Sequence, residues 1–267
     1  MNYLVRDPAA VEADVEYTMQ IAHRYSNEFK RLGVSFAGTS VLELGPGRNL
    51  GWPLIMAARG ARVTVSDAYL VAWDEPYHAE YYRRLAHRCE GSVQEEIKRV
   101  TKDGGSHEAF PIRQLQEPAE TLPSVADGSC DVVLSHAVLE HVFDLPTVVK
   151  TLARVTAMGG VNIHQIDFRD HRDYDRPLEF LLPSNEEFLR EPDAVLGRGN
   201  RWRLSETLHL FEQADFEVLE SLPDSPCDPE YLAEFLRRLP SGNVRFRNAD
   251  HEDLSFGGAH VTLRRIQ

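Results

Sequence analysis

The sequence predicts an α/β fold built as a doubly wound, mostly parallel sheet. Three observations carry that expectation. A short apolar run, VLEL, enters a glycine-bearing turn and a helix; a second strand follows that helix at once; and strand-helix alternation resumes after residue 109.

Taken in order, apolar residues recur at Val11, Val15, Met19, Ala22, Tyr25, Phe29 and Leu32, marking one face of a helix from Pro8 to Leu32. Asp7 ahead of Pro8 is a fitting N-cap. Val41 to Leu44 reads as a buried strand, Leu50 to Gly60 as a helix closed by its glycine, and Ala61 to Asp67 as the next strand. From Ala68 to Ala109 the alternation breaks. A helix is expected around His78 to Cys89 and a turn at Lys102 to Gly105, and the whole reads as a lid-like insertion, because a structureless loop of this length would be unusual.

Phe110 to Gln116 and Cys130 to Ala137 are the following strands. Leu145 to Met158 reads as a helix, with Pro146 in its first turn and Gly159-Gly160 past its end, and Val161 to Phe168 as another strand. Ser205 is a suitable cap for a helix through Ala214; strands at Phe216 to Leu222 and Ala259 to Ile266 complete the pattern. Parallel strands of this kind open their ligand crevice beyond the carboxyl ends.

Acidic residues exceed basic ones, 42 to 29, for a formal charge of −13. Such a body repels phosphate backbones and anionic lipid, and no basic run overrides it, so neither nucleic acid nor membrane is expected as a partner. Cys89, Cys130 and Cys227 lie far apart with no C-x-x-C spacing, which argues against a disulfide framework or structural zinc and for a reducing cytoplasm. No secretory h-region or membrane-length apolar stretch is apparent.

The chemistry concentrates at VLELGPGRNLG, Val41 to Gly51. Gly45 and Gly47 allow a sharp turn and close approach to a ligand. A dinucleotide fingerprint wants a third glycine where Leu50 stands, which weakens a nicotinamide reading. Glu43 opposes a pyrophosphate but suits a cationic or amine-bearing ligand, and Asp67, ending the second strand, is placed to accept ribose hydroxyls.

Glu43-Leu44-Gly45-Pro46-Gly47, Asp67, the PAETLP segment (Pro118 to Pro123) and DGSCDVVLSHAVLEHV (Asp127 to Val142) together resemble the class I S-adenosylmethionine-dependent methyltransferases, in the right order over Val41 to Phe168. The resemblance implies a Rossmann-like, seven-stranded sheet ending in an antiparallel hairpin, with added helical lid elements. It implies a lid over residues 1–37 and a catalytic domain over 38–267, with insertions at about 70–109, 169–204 and 223–258. It also implies S-adenosylmethionine as cofactor. Glu43 would reach its amino group, with Gly45, Pro46, Gly47 and Asn49 forming the turn beneath the methionine part. Asp67 would hold the ribose, with Ala68 and Tyr69 beside the adenine. Pro118, Ala119 and Glu120 would line the adenine, although many relatives carry Asp in place of Pro118; Ser135, His136 and Ala137 would surround the sulfonium.

Methyl transfer to a hydroxyl requires a base, whereas an amine need only be unprotonated. His136, His141, His164 and His171 fall near strand ends, and His141 and His171 are the leading candidates, followed by His136. The run Asp167, Asp170, His171, Asp173, Asp175 suggests a metal site, but Arg169, Arg172 and Arg176 would neutralise it, so no metal is expected. Tyr17, Tyr25, Trp73, Tyr77, Arg201 and Arg203 are the candidate acceptor-binding residues.

Three further blocks, at Trp73 to Leu85, Gln165 to Leu181 and Arg201 to Val218, are similar to a bacterial branch of small-molecule methyltransferases and favour a small polar, sugar-containing or secondary-metabolite acceptor; methylation on its oxygen is the first expectation. N-methylation of an amine or amino sugar is the alternative within that class; a nicotinamide-dependent oxidoreductase and a non-catalytic cofactor binder are alternatives outside it. Monomer and homodimer are both compatible with the sequence.

Overall fold

A computed structural model describes residues 8–102 and 105–267. The Asp7 cap and the middle of the expected turn, Asp103-Gly104, lie outside them. The chain divides into two compact units, one up to Pro118 and the other from Ala119 onward.

The first unit runs α1 (Pro8–Arg31), β1 (Ser40–Leu44), α2 (Gly51–Ala58), β2 (Arg62–Ser66), α3 (Glu75–Arg88), α4 (Gly91–Val100) and β3 (Ile112–Leu115). β1 and β3 pair in parallel with β2 on its two sides. The apolar face of α1 behaves as its spacing predicts: Val11, Val15, Ala22, Tyr25 and Phe29 are buried, while Met19 and Leu32 are only partly covered. α3 begins earlier than expected because Asp74 caps it, accepting a hydrogen bond from Tyr77 N, with Pro76 in the first turn. Helix α4 was not expected. Its buried apolar residues Val93, Ile97 and Val100 are few for a sequence-based expectation.

The second unit runs β4 (Cys130–His136), α5 (Leu145–Val155), β5 (Thr156–Asp167), α6 (Asn185–Leu189), α7 (Ala194–Arg198), α8 (Leu204–Gln213), β6 (Phe216–Pro226), α9 (Pro229–Arg238) and β7 (Phe256–Arg265). Asp144 caps α5 and Pro146 lies in its first turn. The helix stops at Val155 rather than Met158, because Thr156 to Gly160 already belong to β5, which shifts register against β4 between Cys130 and Val132.

The strand order is β3-β2-β1-β4-β5-β7-β6, with β7 antiparallel to both β5 and β6. This is the doubly wound sheet with a terminal antiparallel hairpin. The hairpin strands reach further into the insertion than expected, to Pro226 and back from Phe256.

The two C-terminal insertions fold onto one another. Leu178, Phe180, Leu181 and Phe188 from the first share a core with Tyr231, Phe235, Phe246 and Leu254 from the second. Arg203, about 2% exposed, fastens this arrangement by donating to the carbonyl oxygens of Phe168 (2.7 Å), Asp253 (2.6 Å) and Phe256 (2.9 Å). Ser205 is not the helix cap: α8 starts one residue before it, and the Ser205 hydroxyl donates instead to Asp253 Oδ2 at 2.8 Å.

Candidate functional site

In the first unit the residues around the glycine turn enclose a cavity of about 210 Å³. Glu43, Pro46, Gly47 and Asn49 line it from below, and Asp14, Tyr17 and Thr18 of α1 line it from above. Gly45 and Gly47 have φ of +59° and +75°, a conformation that a Cβ would strain, and nothing lies within 4 Å of where a Gly47 Cβ would project. The Gly45 N–H donates to Ser66 O at 2.9 Å, tying the turn to the end of β2.

Glu43 is 8% exposed, and its Oε2 is buried without a hydrogen-bond partner among the described residues. Burial pushes its carboxyl up to about 8. A buried acid with an open oxygen in a cavity is matched to a ligand that brings positive charge, and the ammonium group of S-adenosylmethionine fits that requirement. Asp67, just past β2, accepts the Tyr69 N–H at 2.7 Å; burial raises its carboxyl and that hydrogen bond works against the rise. Asn49 Oδ1 accepts Gly51 N at 3.2 Å at the start of α2, while Ala68 is half-buried and Tyr69 is exposed.

The remaining cofactor candidates are placed less favourably. Pro118 is exposed and Ala119 half-buried. Glu120 Oε1 accepts Phe143 N at 3.2 Å, joining its segment to the end of the turn after β4. Ser135 is 1% exposed and hydrogen-bonds His164 Nδ1 at 2.7 Å inside the sheet, so this pair packs the core. Burial holds the His164 imidazole down to about 3. His136 is half-buried at the end of β4, and Ala137 takes the left-handed region at φ +54°.

Beyond β4 the chain forms a hydrogen-bonded turn, His141 N to Val138 O at 2.9 Å. Asn200 clamps that turn: its side chain donates to Leu139 O (2.7 Å) and Val142 O (3.1 Å), and its N–H donates to Glu140 O (2.7 Å). The turn carries His141 against His171 of the loop after β5, with ring centroids 4.8 Å apart. The two leading histidines of the sequence are therefore neighbours. Burial first, and then the neighbouring His171, lower the His141 imidazole below its usual range, so it is neutral at pH 7.

Glu140, beside His141 in this turn, is not among the residues singled out from the sequence. It is 3% exposed, both carboxylate oxygens are buried without a partner among the described residues, and burial pushes it up to about 8. Asp167, ending β5, lies 3.6 Å from His171 Nε2. Burial alone would raise Asp167, but His171 and Arg169, 2.6 Å away, hold its carboxyl well below the ordinary carboxylate range.

Of the candidate acceptor residues, Tyr17 lines the Glu43 cavity and is half exposed. Tyr25 is buried against Trp52, Trp73 stacks on His78 and Tyr82, and the Tyr77 hydroxyl donates to Asp14 at 2.8 Å. Arg203 is the buried clamp described above, and Arg201 donates to Pro183 O at 2.9 Å and to Asn185 Oδ1. Arg201 thus braces its own insertion and Arg203 ties the two insertions together.

The family model of a methyltransferase domain matches residues 17–221. None of the curated proteins compared matches the chain significantly. Among solved structures, a candidate S-adenosylmethionine-dependent methyltransferase from Listeria monocytogenes is 13% identical, with 90% of this chain and 97% of that one covered and a TM-score of 0.50. Phosphoethanolamine N-methyltransferase 2 of Haemonchus contortus, solved with phosphomonomethylethanolamine and S-adenosylhomocysteine, is 14% identical over 90% of this chain and 51% of that one, with a TM-score of 0.51. At these identities the likeness establishes the fold, that of class I S-adenosylmethionine-dependent methyltransferases, and the family match sets the nicotinamide alternative aside. Among the described residues no helix is long and apolar enough to cross a membrane. With the glycine turn, the sheet order and a match over most of its length, the chain belongs to the methyltransferase domain family.

Proposed function

We infer that the chain transfers a methyl group from S-adenosylmethionine to a hydroxyl of a small polar acceptor, sugar-containing or another secondary metabolite. Glu43 would take the cofactor's ammonium group, Gly45 to Asn49 would cradle its methionine part, and Asp67 would accept its ribose hydroxyls. α1, through Asp14, Tyr17 and Thr18, lines the Glu43 cavity and would serve as its lid. When bound, the cofactor supplies a methyl carbon on a sulfonium that an acceptor oxygen can displace.

The observation that carries the choice of oxygen is the pair of adjacent histidines beside Glu140. His141, neutral at pH 7 and with Nδ1 lacking a partner among the described residues, can take the hydroxyl proton as the new C–O bond forms. The protonated ring would then face the negative charge of Asp167 across His171.

The test is incubation with methyl-labelled S-adenosylmethionine and a panel of hydroxylated sugars, phenolic metabolites and amino sugars, with products mapped by mass spectrometry and NMR. Label on an acceptor oxygen is the expected result. Label confined to amine nitrogen would assign N-methylation instead, and cofactor binding without turnover across the panel would indicate a non-catalytic binder.

A further inference from the structure

We propose that Glu140, His141 and His171 form a binding site for a divalent transition-metal cation. Each contributes a donor atom, and these atoms all lie within 4.8 Å of one another. Bonds of about 2.1 Å would hold neighbouring ligands roughly 3 to 3.4 Å apart, so closure needs side-chain rotation on the order of an ångström.

The second observation is the number of orphaned atoms in one place. Both Glu140 oxygens and His141 Nδ1 are buried without hydrogen-bond partners among the described residues, while His171 Nε2 has only Asp167 Oδ2 near it, at 3.6 Å. An unpartnered buried polar atom costs roughly 1 to 3 kcal/mol and native structures contain few, so a cluster of three calls for a shared partner. A cation supplies one for all three residues. Two imidazoles with one carboxylate favour zinc, iron, cobalt or manganese over magnesium or calcium, which prefer an all-oxygen shell.

The frame is already rigid. Asn200 clamps the turn carrying Glu140 and His141, while the Asp170–Arg198 ion pair at 2.6 Å braces the loop carrying His171. The acidic run that drew attention in the sequence is not the site. Asp167 and Asp170 are taken by Arg169 and Arg198, and only His171 of that run joins the cluster.

Three protein ligands leave coordination positions open. Resting on the methyl-transfer reading above, an acceptor hydroxyl, or two vicinal ones, would occupy them; with His141 Nδ1 on the cation His141 no longer serves as the base, and the hydroxyl, made more acidic by the cation, would give its proton to a solvent water.

Metal binding is testable without any turnover. Tag-free, full-length protein is stripped with chelator and titrated with Co²⁺, followed by visible absorption and calorimetry. One equivalent should bind at micromolar affinity or tighter, with d–d bands of nitrogen and oxygen ligation and no thiolate charge-transfer band from Cys227. Glu140→Gln and His171→Asn should each weaken it at least tenfold while S-adenosylhomocysteine affinity, which also reports correct folding, stays unchanged. Failure of the wild-type chain to take up one Co²⁺, thiolate ligation, or uptake unaffected by both substitutions would overturn the site. Failure to bind S-adenosylhomocysteine would instead overturn the cofactor reading and leave the metal result standing.

Discussion

Glu43→Gln is expected to stabilise the ligand-free protein at pH 8 and, at the same time, to weaken S-adenosylhomocysteine binding by about tenfold to a hundredfold. The two effects share one cause. Burial raises the Glu43 carboxyl from 4.5 to about 8 in the folded chain. Between those values the folded state holds a proton that the unfolded state has released, so stability falls as pH rises through that window. Glutamine has no proton to lose. Its advantage should therefore be absent near pH 4.5, grow across the window and reach on the order of a few kcal/mol at the alkaline end. The charge that makes Glu43 a burden in the empty protein is what an ammonium group would meet. Thermal unfolding from pH 5 to 9 beside calorimetric titration checks both halves; a variant less stable at pH 8, or one with wild-type ligand affinity, would contradict the assignment.

The larger kinetic effect belongs to the histidine pair. His141→Asn and His171→Asn should each lower kcat toward a hydroxyl acceptor by about 10²- to 10⁴-fold, the span typical of a lost base or of its positioning partner. S-adenosylhomocysteine affinity should not change, because neither residue lines the Glu43 cavity. Since burial and His171 depress the His141 imidazole, wild-type activity should stay flat through neutral pH and fall only below the ordinary imidazole value of 6.5. Steady-state kinetics across pH 5 to 9 measures this. Unchanged kcat in both variants would transfer the argument to an amine acceptor, which needs no base.

The cofactor half of the molecule was legible because its signals are local. The change of period at Val41, the glycine turn and Asp67 each report backbone needs that a single sequence displays. The catalytic half was only half legible. His141 and His171 lie 30 positions apart in sequence, and their adjacency depends on Asn200 and Arg198 folding the insertion back onto the turn. Glu140 was not singled out, since nothing beside it in the sequence announces burial. Arg201 and Arg203 show the converse: a bidentate cation suits a carboxylate ligand and a cluster of backbone carbonyls equally well, and in the fold both donate to backbone carbonyls. The missed helices α4, α6, α7 and α9 are short, at 10 residues or fewer, and all fall in insertions, where packing rather than periodicity selects the conformation.

The account rests on a methyl-donor pocket in the first unit, so the most direct test is calorimetric titration of the purified chain and of Asp67→Ala with S-adenosylhomocysteine. The wild-type protein should bind one equivalent, and loss of the Asp67 carboxylate should weaken binding at least tenfold, about 1.4 kcal/mol or more. No binding by the wild-type chain, or equal affinity in the variant, would contradict it.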